Sequence, residues 1–289
     1  MESSGKSFEK IRAPKGMCWP GGRRIAVVLN IAYEMWTPGA ASGVGPMGNV
    51  LADSVFDPNA DSYGRYNTAA GTQRLLRIAE RHGVPASVLT SGIVAEHHAD
   101  ELKRIANAGH EIVGHGYAQN LLSPLLSAED DEASIQQSTE LLQKATGHRP
   151  AGWVSPRVTS GVETHRRLVR NGYSWHGDVL DDDLPYIQKF AEGDIVAIPM
   201  TTDFNDLPHA MRFGRTPGQF VEMFFDALEA IVKQPSETLI LDIFAHGHCY
   251  GRPAASWAID EIARRCAERE DLWMTTRGAI ASHFQTEQL

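Results

Sequence analysis

Four short blocks of the 289-residue chain carry side chains able to move protons or hold a metal ion. They are Tyr33-Glu34, His115 within GHEIVGHGY with Gln119 just beyond it, Arg157 closing GWVSPR, and the pair His246 and His248 in AHGHCYGRP. A carboxylate, several imidazoles and a guanidinium are what hydrolysis of an acyl group requires: a base, an acid, and a donor where oxyanion charge develops. Glu34 follows directly on an apolar run, where a charge needs a partner, a metal or water. The plainer alternative is a solvated strand end. His115 is flanked by glycines that let a ligand come close to the backbone. His246 and His248 are two apart, so on extended backbone they face the same side, and imidazole is both a common metal ligand and a proton carrier near neutrality. His148, His165, His176, His209 and His283 lack such company and read as surface or packing residues.

Positioning these groups needs a scaffold, and the hydrophobic pattern supplies one. Arg24 to Ile31 is a short β-branched block that reads as a buried parallel strand. Further strands are expected at 84–89, 111–113, 153–155, 195–199, 238–244 and 272–275. Helices are expected between them at 72–82, 95–108, 127–146, 163–170, 216–232 and 255–267. Such alternation predicts a (β/α) barrel, parallel strands inside and helices outside, with catalytic groups on the loops after the strands. By that rule Ser155, Asp203, Asn205 and Asp206 join the candidates. Residues 35–66 are rich in Gly, Pro, Asn and Asp without a period, and are expected to form a long active-site loop after a lead at 1–20. One domain over 1–289 is the expected organisation. The run Asp181-Asp182-Asp183 reads first as a solvated face, and Trp153 as core packing.

Composition removes several classes of function. With 27 Lys and Arg against 36 Asp and Glu, and no basic run, a grip on nucleic acid or anionic lipid is not expected. Three widely spaced cysteines suggest neither a disulfide framework nor a thiolate zinc site. No apolar segment reaches the roughly 18 residues that a membrane span needs, and residues 1–16 lack the apolar centre of an export signal. These features predict a cytoplasmic protein acting on a small molecule.

The order of the blocks resembles the polysaccharide deacetylase superfamily, which implies a distorted (β/α) barrel with a metal-binding Asp-His-His set and an Asp general base. RIAVVLNIAYE, GHEIVGHGYAQ, GWVSPR and FAHGHCYGRP match its first, second, third and last motifs. The base falls on Ala32, the metal Asp on Glu34, the metal histidines on His115 and Gln119, and the third-motif arginine on Val154, with Arg157 three residues on. Losing a carboxylate base removes help worth roughly a hundred- to ten-thousandfold in rate. A carboxamide in place of an imidazole weakens a zinc-like site.

One branch is more similar, the bacterial allantoinases and cyclic-imide hydrolases. Tyr33-Glu34, Gly152-Trp153 to Arg157, Asp182-Asp183-Leu184-Pro185-Tyr186, Asn205-Asp206, and His246 before Gly251-Arg252-Pro253 carry that likeness. It implies a hydrolase of a small cyclic or activated non-peptide amide, a homo-oligomer, and either no metal or a weakly held divalent ion on Glu34 and His115. Glu34, His115, Arg157, His246 and His248 are the expected catalytic set. Tyr33, Gln119, Trp153, Ser155, Asp182, Asp183, Asn205 and Asp206 are the expected substrate contacts. Glu34 or a histidine would take the proton of water, His246 or His248 would protonate the leaving nitrogen, and Arg157 or Asn205 would polarise the carbonyl. A metal-dependent carbohydrate N-deacetylase and a non-catalytic binding protein are the rival expectations.

Overall fold

The structure, a computed structural model, describes residues 8–41, 44–48, 50–52, 55–234 and 238–287. Part of the expected lead and part of the expected 35–66 loop therefore lie outside the described residues. The elements are β1 (Glu9–Arg12), β2 (Ile25–Tyr33), α1 (Pro58–Tyr66), α2 (Thr72–Arg81), β3 (Ala86–Thr90), α3 (Gly92–His97), α4 (Ala99–Asn107), β4 (Glu111–Gly114), α5 (Ala128–Thr146) and β5 (Gly152–Trp153). They continue as α6 (Thr164–Arg170), β6 (Trp175–His176), β7 (Tyr186–Phe190), β8 (Gly193–Ala197), α7 (Pro217–Val232), β9 (Leu239–His246), α8 (Ser256–Ala267), β10 (Leu272–Thr275) and α9 (Arg277–Glu287).

The strands join in one sheet in the order β1-β7-β8-β6-β5-β4-β3-β2-β10, with β9 also paired to β2. All pairings are parallel except β1 with β7 and β7 with β8. The sheet curls into a half-barrel with helices outside, the architecture the alternating pattern predicts. β2 pairs with β3, β9 and β10 and is buried along its whole length. Alternation divides its side chains: Ile25, Val27, Leu29, Ile31 and Tyr33 pack toward the helices with Leu75, Phe224 and Ile259, while Ala26 and Val28 pack inward with Trp175, Phe244 and Phe284.

Local chemistry sets the helix starts. Ser127 accepts the Asp130 amide ahead of α5, and Thr216 and Gln219 form a reciprocal capping box ahead of α7. The expected helix at 95–108 is two helices, α3 and α4, broken at His98. The β1/β7 antiparallel pair is not visible in the hydrophobic pattern, because both strands are short and partly exposed. α1 lies inside the segment expected to be loop; Asp57 accepts the amides of Asn59 and Ala60 at its start, and Pro58 sits in its first turn.

Candidate active site

Three strand ends converge. Glu34 leaves β2, His115 leaves β4 and His246 ends β9. His115 Nε2 stands 3.4 Å and His246 Nε2 3.9 Å from Glu34 Oε1. All three are nearly enclosed, at 6 %, 4 % and 8 % exposure. Each imidazole is oriented from behind. His115 Nδ1 meets the Val154 carbonyl at 2.6 Å, and since a carbonyl only accepts, that nitrogen carries a proton. His246 Nδ1 meets Asp206 Oδ1 at 2.6 Å, while Asp206 Oδ2 accepts the amides of His246 and Tyr250. Asp206 thus fixes both the ring and the turn that carries it.

The electrostatics follow from burial and mutual charge. Burial alone would raise the Glu34 carboxyl, but His246 and His115 outweigh it, and the pKa falls to about 2. Burial alone would strip the proton from His246; Asp206 and Glu34 reverse this and lift it to about 9. His248, 2 % exposed, is held down at about 4 by burial and by its charged neighbour His246. A carboxylate, a protonated histidine and a neutral histidine therefore share one enclosure at neutral pH. Trp36 and Tyr63 pack against His248 in T-shaped contacts, their ring centroids 5.7 and 5.8 Å from its own, and Arg252 stacks on Tyr63 and Tyr66.

Gln119 also lies here, but its Nε2 donates to Ser91 Oγ at 3.1 Å. The remaining expected residues are placed elsewhere. Tyr33 is fully buried among the helix-facing side chains, where strand alternation puts it on the opposite side of β2 from its neighbours Ala32 and Glu34. Trp153 packs in a separate core cluster with Ile135, Leu168, Tyr173 and Ile195. Ser155 gives its amide and hydroxyl to Asp178, so it props the Val154 carbonyl and has no donor left for a substrate. Asp182 is ion-paired with Lys10 and Arg12 of β1, and Asp183 is exposed. Asn205 Oδ1 accepts the Leu207 amide in a local turn. Arg157 is exposed, with a left-handed φ of 59°, and its guanidinium makes no hydrogen bond or ion pair among the described residues. Ser91, Asn67, Thr72 and Asp178 belong to the surroundings of the site and were not singled out by sequence. Ser91 follows β3 directly, so the strand-end rule could have found it.

A family model for polysaccharide deacetylases matches residues 56–175. The peptidoglycan deacetylase of Helicobacter pylori is 23% identical, the alignment covering 90% of this chain and 97% of that protein. A probable polysaccharide deacetylase from Pseudomonas aeruginosa superposes with a TM-score of 0.83 at 26% identity, covering 93% of each chain. The chain is thus similar to polysaccharide deacetylases in sequence over residues 56–175 and in fold over most of its length. PuuE allantoinase superposes with a TM-score of 0.80, also at 26% identity, over 93% of this chain and 92% of that one. Deacetylases and allantoinases, as these relatives are named, are hydrolases of carbon–nitrogen bonds other than peptide bonds.

The divalent ion common in the polysaccharide deacetylase superfamily can be tested against the donors present. Glu34 Oε1 and His115 Nε2, 3.4 Å apart, span an edge that a tetrahedral ion could bridge. The third point is missing, since Gln119 offers a carboxamide whose amide nitrogen is already turned to Ser91. The set does not complete a three-residue site, and no step below passes through a metal. Three other ligand-type side chains, His165, His176 and Asp178, bring one atom each within 4.8 Å of one another. This corrects the reading of His165 and His176 as solitary residues. His176, however, spends both nitrogens: Nδ1 accepts the Asp178 amide and Nε2 faces Gln188 Oε1 at 3.1 Å. Its ring stacks on His165 at 3.8 Å as a hydrogen-bonded packing group.

Proposed function

We propose that the chain hydrolyses a small cyclic or activated amide, of the hydantoin, cyclic-imide or allantoin kind, by attack of water on the carbonyl. The observation that carries this reading is the enclosed Glu34–His246–Asp206 set beside His248 and the aromatic rings of Trp36 and Tyr63 packed on it. Such an enclosure suits a small planar molecule better than a polymer chain. Glu34 orients the water and takes its proton as the carbon–oxygen bond forms. His246, held protonated by Asp206, gives its proton to the nitrogen as the carbon–nitrogen bond breaks. Glu34 then returns its proton to His246, and the enzyme is restored. A carboxylate at about 2 is a weak acceptor, so the carbonyl must be electron-poor or ring-strained. That condition selects hydantoins and imides over an N-acetyl group. The likeness to PuuE allantoinase supports the same choice.

The second reading, carbohydrate N-deacetylation, is favoured by the peptidoglycan deacetylase that aligns over nearly its whole length. One experiment separates them. Purified chain of measured metal content is given hydantoin, a cyclic imide, allantoin, an aryl amide and N-acetylglucosamine oligomers, with and without a chelator. Ring opening that survives the chelator is the expected result, and Glu34→Ala and His246→Ala should each lower it about a hundredfold or more. Chelator-sensitive release of acetate from the oligomers alone would establish the second reading instead. Ligand binding without turnover would point to a non-catalytic scaffold.

A further inference from the structure

With Arg157 exposed and the Asn205 carboxamide tied through its oxygen into a local turn, another donor to polarise the carbonyl is sought among the buried groups around the histidines. Three buried side chains, two of them beyond the motif blocks, supply it. The Thr72 hydroxyl, at the start of α2, donates to Asn67 Oδ1 at 2.6 Å. An amide whose oxygen is so engaged turns its nitrogen the other way, and Asn67 Nδ2 lies 3.4 Å from His248 Nδ1. An amide nitrogen only donates, so Nδ1 accepts and the single proton of the neutral ring resides on Nε2. Nε2 makes no hydrogen bond among the described residues. The clamp is rigid. Asn67 and Thr72 are fully buried, and a Cβ on Gly247 would stand 2.5 Å from Asn67 Oδ1 and 2.8 Å from Thr72 Oγ1, so the histidine loop lies directly against the pair.

We propose that Thr72 and Asn67 are positioning residues that lock His248 as a neutral Nε2–H donor, and that this N–H holds the substrate carbonyl oxygen as negative charge develops on it. The assignment rests on the amide-hydrolase reading and divides the two histidines, whose rings lie 5.5 Å apart, between two tasks. His246 transfers a proton; His248 keeps its own. The low value of His248, about 4, keeps its ring neutral while His246 is charged over the window from about pH 4 to about pH 9. A flipped Asn67 amide would place its oxygen against Nδ1 and leave Nε2 with a lone pair, which repels an oxyanion.

Nitrogen-15 spectra of the histidine-labelled protein test the lock directly, with the His248 signals assigned by their loss in His248→Gln. The expected spectrum has a pyrrole-like Nε2 and a pyridine-like Nδ1. Asn67→Asp, whose carboxylate accepts from Nδ1–H, should invert that pattern and lower kcat on hydantoin about a hundredfold or more with little change in KM. Thr72→Val, close in shape, should lose part of the rate, and Thr72→Ser should keep it. A wild-type proton on Nδ1, or the same tautomer in Asn67→Asp, would overturn the proposal whatever the activity. Should every cyclic amide resist hydrolysis while the expected tautomers appear, the lock is supported and the reaction assigned to it falls.

Discussion

Asp206 determines what His246 can do. Burial works against a charged imidazole, and the carboxylates of Asp206 and Glu34 overcome it, so the ring stays protonated to about pH 9. If His246 is the acid, kcat/KM should be flat through neutrality and fall above about pH 9. In Asp206→Asn, with the principal counter-charge gone, that limb should move toward neutrality; a limb fixed near 9 in the variant would remove His246 from the role. Stability carries the same signature. The share contributed by His246, whose value rises from 6.5, is present in full below pH 6.5 and drains away as pH rises through about 9. The share of Glu34, whose value falls from 4.5, is present above pH 4.5 and is lost as pH falls through about 2. Glu34, His115 and His246 were legible in the sequence because each stands at the end of an apolar strand. Asn67 was not, since its meaning lies in a contact 181 residues along the chain. Tyr33 misled for a related reason: adjacency to Glu34 in sequence puts it on the other face of the strand.

At the scale of elements, the segment from α1 to α2 closes the site. α1 runs through a π-type turn at Asn67–Gly71 straight into α2, and the wide turn brings Asn67 to His248 and Gly71 onto the histidine loop. A Cβ on Gly71 would lie 2.0 Å from the Gly247 carbonyl oxygen, backbone against backbone. Gly71→Ala is therefore expected to push the helix entry off the loop, costing about 1–3 kcal/mol of stability by overpacking and a larger share of activity. Urea unfolding and the hydantoin assay on one preparation check both effects. A variant with wild-type turnover would mean that this contact does not hold the site closed. Helix α1 escaped the sequence because Asp57-Pro58-Asn59, read as loop composition, is equally a capped helix start. The strands and helices from β2 onward were largely legible, their periods being long enough to outweigh local composition.

For the molecule as a whole, the two strands that carry Glu34 and His246 must not slip, because a shift of one residue would turn both side chains to the wrong face. The hydrophobic residues of β2 and β9 do not fix this alone, since both strands are apolar on both faces. A buried polar knot does. Asp242, four residues before His246, and Asn30, four before Glu34, bond to each other at 2.8 Å, and Arg277 from the start of α9 grips both. Thr201 and the Ile198 carbonyl complete the knot from the β8 side. Asp242 and Arg277 are both fully buried, and removing one partner of such a pair leaves a charge stranded in the interior. Arg277→Met should accordingly cost about 3–5 kcal/mol in urea unfolding, whereas Arg277→Met with Asp242→Leu should recover part of that loss. The double variant distinguishes a knot that only stabilises from one that sets register. If register depends on it, the recovered protein will fold yet hydrolyse poorly, with the alkaline limb assigned to His246 displaced; full activity in that variant would leave the register to the apolar strands alone.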